Sequence, residues 1–168
     1  MNTSIIFHTS IGFYQDSSST NTPTAVLDNA TQFSNPIEAH AKALEMNERT
    51  AKNNFRASNR WLSFSLNKVT TETPEGIADR ITEIIENWES NSDILDFITR
   101  NLSTNIEYQE DSFWTINNVL SDTDEVIKHI KQELYTLSNN TLSDIYHQLG
   151  DNKAYYIGGD TFIHVLAL

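Results

Sequence analysis

The chain contains no cysteine. A disulfide framework, a thiolate zinc finger and a thiol nucleophile are excluded together. Long apolar runs are missing too, so nothing in the sequence has the length of a membrane span. The opening Met1-Asn2-Thr3-Ser4-Ile5-Ile6-Phe7-His8 has no basic segment and breaks its apolar run at His8. It does not read as a signal peptide, and the expected location is cytoplasmic. Bases are scarce: 11 Lys and Arg stand against 23 Asp and Glu, for a net charge of −12. The bases form no cluster. Such a field repels nucleic-acid phosphates and anionic lipid, and attracts basic protein surfaces. The expected partner is therefore a basic protein, with no direct nucleic acid and no membrane.

The apolar share, 38%, is below the globular average, and Asn, Ser and Thr fill the gap. Periodicity still marks a folded chain. A length of 168 residues suits one domain, 1–168, able to bury roughly 70% of its unfolded surface. The charge is uneven. Residues 1–84 hold 9 acids and 7 bases, and residues 85–168 hold 14 acids and 4 bases. Between Arg100 and Lys128 stand Glu107, Glu110, Asp111, Asp122, Asp124 and Glu125, with no base among them.

Ser4–Phe13 alternates as a strand. Asp16–Thr24 is a Ser/Thr/Asn tract with the composition of a mobile loop. Asn35-Pro36-Ile37-Glu38 opens a helix, with a capping Asn and Pro at the first helical position. Ile37, Ala41 and Leu44 share one face of it, Glu38–Lys42 and Glu45–Arg49 pair outside, and it runs towards Phe55. Trp61–Leu66 is a strand. Thr73-Pro74-Glu75 opens a second helix whose stripe is Ile77, Ile81, Ile84, Ile85 and Trp88. Ser92 caps a shorter helix with Ile94, Leu95 and Ile98. A strand at Asn105–Gln109 and another at Phe113–Ile116 follow.

Asp122-Thr123-Asp124-Glu125 is a capping box with acids at the positive end of the helix dipole. Val126, Ile127, Ile130, Leu134 and Leu137 form the stripe behind it. After Ser138-Asn139-Asn140 comes a helix with Leu142, Ile145 and Leu149, closed by Gly150. Lys153–Ile157 and Thr161–Leu168 form a hairpin about Gly158-Gly159-Asp160. The expected fold is α+β: a mostly antiparallel sheet with three main helices, starting at Pro36, Pro74 and Asp122, packed on it. Trp61–Gln109 and Trp114–Ile157 repeat one plan of strand, helix, helix and strand, which suggests an internal β-α-α-β duplication.

Catalytic patterns are missing. No serine lies in a Gly-x-Ser-x-Gly elbow, and His8, His40, His129, His147 and His164 show no zincin pairing. His129 and His147 sit in polar helical stretches and face solvent. His8 and His164 lie in terminal strands. A hydrogen-bonded structural role suits both, and the sharper alternative is that their imidazoles meet. Asp122-x-Asp124-Glu125 has the chemistry to ligate a hard cation, but lacks the glycine and downstream glutamate of an EF-hand loop. Dipole placement explains these acids without a metal. Glu107, Glu110 and Asp111 are close enough in sequence for a paired-carboxylate site. They lie near a strand end in a polar segment, where a solvated surface is the ordinary outcome. Gly158-Gly159 leads into a strand, so it is a turn and no phosphate cradle. Trp61, Trp88 and Trp114 sit at core-pattern positions. No cofactor, metal or catalytic residue is expected.

In overall style the chain resembles small bacterial immunity and antitoxin proteins, with no shared motif that would carry a residue role across. The expectation is a non-catalytic inhibitor that covers a basic toxin, for instance a nuclease, through Glu107, Glu110, Asp111, Asp122, Asp124 and Glu125. Alternatives are a phage-encoded anti-defence inhibitor, and a self-assembling adaptor using Thr161–Leu168 as an open sheet edge.

Overall fold

The computed structural model describes residues 3–16, 23–51, 60–87, 92–109 and 113–167. Among these the order is β1 (Ser4–His8), β2 (Gly12–Phe13), α1 (Pro36–Ala51), β3 (Trp61–Ser65), β4 (Val69–Glu72), α2 (Pro74–Asn87), α3 (Ser92–Thr99), β5 (Ile106–Tyr108), β6 (Trp114–Ile116), β7 (Val119–Ser121), α4 (Thr123–Leu134), α5 (Asn139–Gln148), β8 (Lys153–Gly158) and β9 (Thr161–Val165). The fold is α+β, and the strand pairs are antiparallel. The strands divide among three sheets of three, in the orders β2-β1-β3, β4-β9-β8 and β5-β6-β7. The strands are short and fall into separate ladders, of which β1–β3 and β4–β9 join segments distant in sequence, instead of extending one sheet. Among the described residues no helix is long and apolar enough to cross a membrane.

The chain forms two compact units: residues 1–72 with 151–168, and residues 73–150. The first of these units is discontinuous in sequence. Its last hairpin returns to pair with β4, where Val69 faces Val165 and Glu72 faces Phe162.

In the first unit, side-chain alternation along β1 makes two cores. Ile5 and Phe7 join Phe13, Ala30, Val69, Ile163 and Val165 in one cluster. Ile6 points the other way and joins Tyr14, Ala39, Ala43 and Trp61. The β2-β1-β3 sheet therefore lies between the β4-β9-β8 sheet and α1. The Phe7 ring anchors the inner layer, 5.7 Å from Phe64 and 5.6 Å from Tyr155. Where the sequence reads as one strand over Ser4–Phe13, the backbone turns over Thr9–Ile11 and, paired with His8, returns at Gly12. Its φ is +111°, and a Cβ there would lie 2.5 Å from the Thr24 carbonyl oxygen, so only glycine fits.

Thr161–Val165 is the middle strand of its sheet, and Phe162, Ile163 and His164 are fully buried. The proposed open edge at the C-terminal segment is corrected: both sides of β9 are paired. Helix α1 also turns opposite to the pattern reading. Ala39 and Ala43 are buried against β1 and β3, whereas Ile37 and Leu44 are 76% and 50% exposed. The two alanines let the helix approach the sheet closely, and the larger residues are left outside. Lys42 and Arg49 both reach Glu45, Lys42 at 3.1 Å.

In the second unit the helical stripes are buried along most of the length their spacing predicts, with Ile84 and Leu137 half-buried. Ile77, Ala78, Ile81 and Ile85 line α2, Val126, Ile127, Ile130 and Leu134 line α4, and Leu142, Ile145 and Tyr146 line α5. Trp114 is 1% exposed and Trp61 6%. Trp88, the extension of α1 towards Phe55, and residues 17–22 of the Asp16–Thr24 loop lie outside the described residues. Both segments in fact run strand, strand, helix, helix, strand, as β3, β4, α2, α3, β5 and as β6, β7, α4, α5, β8, and their opening strands pair differently. β3 joins β1, whereas β6 lies between β5 and β7.

The orientation of α1 is testable by chemical denaturation. Ala39→Leu should lose about 1–3 kcal/mol through overpacking, while Ile37→Ser should stay within about 0.5 kcal/mol, as exposed positions do. Equal losses at the two positions would contradict this orientation.

Candidate functional site

The acids expected to act lie in the second unit, around the β5-β6-β7 sheet and the start of α4. Asn117 and Asn118 have φ of 51° and 65°. Ile116 faces Val119 across them, which makes a two-residue turn of the type that suits a twisted hairpin. Asn tolerates this left-handed backbone better than other non-glycine residues. The Asn-Asn pair was therefore a readable hairpin signal, and β7, like β4, is a strand that sequence patterning overlooks.

The hydrogen-bond phase follows. The Asn117 N–H donates to the Asn105 carbonyl at 2.8 Å, and the Gln109 N–H donates to the Phe113 carbonyl at 2.7 Å. Odd-numbered residues of β6 thus bond to β5. Even-numbered Trp114 and Ile116 bond to their partners on β7, Ser121 and Val119. In an antiparallel ladder the intervening residue turns its polar groups away. The N–H and C=O of Leu120 therefore point to the outer edge of β7. Among the described residues no strand pairs with that edge.

Side chains alternate independently of this. Ile106, Trp114, Ile116 and Ser121 are buried on one face. Glu107, Thr115 and Leu120 form a cross-strand row on the other. Val119 and Leu120 are each 66% exposed. A groove of about 430 Å³ runs between this hairpin and α4, lined by Ile116, Val119, Leu120, Glu125, His129 and Gln132 among others. These two apolar side chains are the surface feature that the charge pattern alone does not reveal.

The expected site residues take different roles. The Asp122 carboxylate accepts from the Glu125 N–H at 2.8 Å and caps α4. It is engaged by the helix, as the capping box predicts. Asp124 and Glu125 are exposed in the first turn. Glu107 is exposed on β5, two strands from β7, and receives the Asn105 side-chain amide at 3.3 Å. Asp124 and Glu125 line adjoining cavities that share Lys128 and Gln132, and Glu107 lines a separate one with Asp96 and Arg100. The structure therefore brings Asp122, Asp124 and Glu125 together and sets Glu107 apart. Glu110 and Asp111 lie outside the described residues. Among the described residues no group of three His, Asp or Glu is arranged to hold a metal ion.

One further acid shapes the surface. The Glu133 carboxylate on α4 accepts from the Ser103 N–H and hydroxyl, both at 2.8 Å, and from the Thr104 N–H at 3.1 Å. It pins the loop before β5 to α4. Partial burial pushes its pKa up, but the combined hydrogen bonds from Thr104 and Ser103 outweigh this and hold it below the usual glutamate value.

The two strand histidines do not meet. His8 follows Ile6 on the α1 side of its sheet, and its Nδ1 contacts the Ser10 hydroxyl at 3.1 Å. Its ring stands edge-on to Trp61 at 5.3 Å, and burial lowers its pKa. His164 alternates with Ile163 and Val165, which face the inner core, so it points to the far side of its own sheet. There its Nδ1 lies 3.5 Å from the Thr70 hydroxyl. His129 and His147 are half-buried rather than fully solvent-facing.

No protein-family model, no curated protein and no solved structure matches this chain.

Two measurements check this geometry. Asp122→Ala should cost about 1 kcal/mol by loss of the cap. Because the folded-state pKa of Glu133 is lowered, its stabilising effect is present above the unfolded value of about 4.3 and fades as pH falls through the folded pKa. The stability gap between the native chain and Glu133→Gln should therefore narrow between pH 7 and pH 3. A gap independent of pH would refute the carboxylate clamp.

Proposed function

We propose that this chain is a non-catalytic inhibitory binding protein of the immunity or antitoxin kind, which covers a basic surface of a toxin with its acidic unit. The observation that carries the reading is the division of charge between the two units. Residues 73–150 hold 15 acids and 4 bases, net −11, while the other unit holds 8 acids and 7 bases, net −1. Acidity needed for solubility alone has no reason to gather in one compact unit. Gathered charge steers a cationic partner towards that unit, raising association rates about 10- to 1,000-fold. An enzyme that handles polyanions presents such a cationic cleft. Glu125 is exposed and lines one groove with Val119 and Leu120, and Asp124 is exposed in the same helical turn, which supports a contact combining charge with apolar area.

Affinity capture from the native cell, followed by titration of the purified pair, tests the reading. The recovered partner should be basic, and its affinity should fall steeply with added salt. Combined Glu107→Lys, Asp124→Lys and Glu125→Lys should weaken the complex at least about 100-fold, since two close charge pairs at about 1.5 kcal/mol each account for that much. Stability should fall by no more than about 2 kcal/mol, the dipole contribution of two first-turn acids. A neutral or acidic partner, or affinity indifferent to salt, would remove the proposal.

A further inference from the structure

We propose that β7 is a docking edge, and that the partner adds an extended segment of alternating basic and apolar residues as a fourth strand beside it. This rests on the inhibitory reading above and names the contact which that reading uses.

Three observations converge on this edge. The ladder phase leaves the Leu120 N–H and C=O directed outwards, with no strand paired to them among the described residues. Natural sheets usually guard such an edge with charge, proline or a covering element. Here the edge instead presents Val119 and Leu120, each 66% exposed, in a unit otherwise dominated by acids. A groove continues from the edge to α4, so an added strand has somewhere to place its inward side chains. Strand addition supplies main-chain hydrogen bonds for affinity and alternate side-chain pockets for specificity.

The charges select the occupant. Asp122, Asp124 and Glu125 stand where β7 runs into α4. They favour lysine or arginine on an incoming strand at that end. Lys128 and His129 line the groove together with Ile116, Val119 and Leu120, so the inward positions of the strand should be apolar instead. A second copy of this chain would bring a second set of acids to the same edge and is disfavoured by like-charge repulsion.

The probe is a synthetic seven-residue peptide of alternating lysine and valine, titrated into the full ¹⁵N-labelled chain. The lysine–valine peptide should bind at least about tenfold more tightly than a glutamate–valine counterpart. The Leu120 amide should be among the resonances that move most. Leu120→Pro removes the outward donor without touching the bonds to β6, as edge positions allow. Leu120→Lys keeps the backbone and replaces the apolar contact with a like charge. Each should weaken binding at least about tenfold, a difference of about 1.4 kcal/mol, with far-UV circular dichroism unchanged for Leu120→Lys. Absence of binding, a still Leu120 amide, or undiminished affinity in Leu120→Lys would overturn the docking edge. The inhibitory reading is judged separately, by the charge and salt response of the captured partner. It survives if that complex is salt-sensitive while Leu120→Lys binds the partner normally.

Discussion

Repulsion among the carboxylates of residues 73–150 is the constraint on which the second unit is built. With 15 acids and 4 bases, the unit coheres only if apolar burial outweighs self-repulsion. Each of its long helices meets this by keeping one buried stripe: Ile77, Ile81 and Ile85 on α2, Val126, Ile130 and Leu134 on α4. Several acids are then put to local use. Asp122 caps α4, Glu133 holds the Ser103–Thr104 backbone, Glu86 pairs with Lys131, Asp96 with Arg100, and Asp79 accepts from the Tyr135 hydroxyl. Exposed ion pairs of this kind add little energy each. Their effect is to give particular acids a fixed place. Glu107, Asp124 and Glu125 remain at the surface, and the proposed partner contact falls on them.

The neighbouring hairpin shows how a small backbone detail decides what a surface can do. A two-residue turn sets Ile116 opposite Val119, and that register determines which backbone groups of β7 are consumed by β6. A one-residue slip would turn Leu120 inwards and exchange every face of the strand. Asn117 and Asn118, both left-handed, therefore control whether an edge donor and acceptor are offered beside the acids. In the proposed function, charge would bring a basic protein near and the hairpin edge would give it an orientation.

The first unit shows the opposite balance of charge. Its 8 acids and 7 bases nearly cancel, and its order comes from two apolar layers on either side of β1. The chain closes this unit only at its end, when β9 enters between β4 and β8. Residues distant in sequence, such as Val69 and Val165, become direct partners. That closure buries the Phe162–Val165 run, which in isolation has the composition of an exposed aggregation-prone edge.

Local physics made much of this legible in the residues themselves. Capping chemistry at Asn35-Pro36, Thr73-Pro74 and Asp122, 3.6-residue stripes, and the Gly158–Asp160 turn all act within a few residues, so the sequence alone placed the helices and the last hairpin. The acidity of the second half was equally plain. What only tertiary structure decided was which of two apolar faces won. On α1, close approach to the sheet favoured Ala39 and Ala43 over Ile37 and Leu44. It also decided whether β9 was edge or centre, and which carboxylates stood together. Those outcomes depend on partners tens of residues away, and periodicity carries no information about a neighbour that far along the chain.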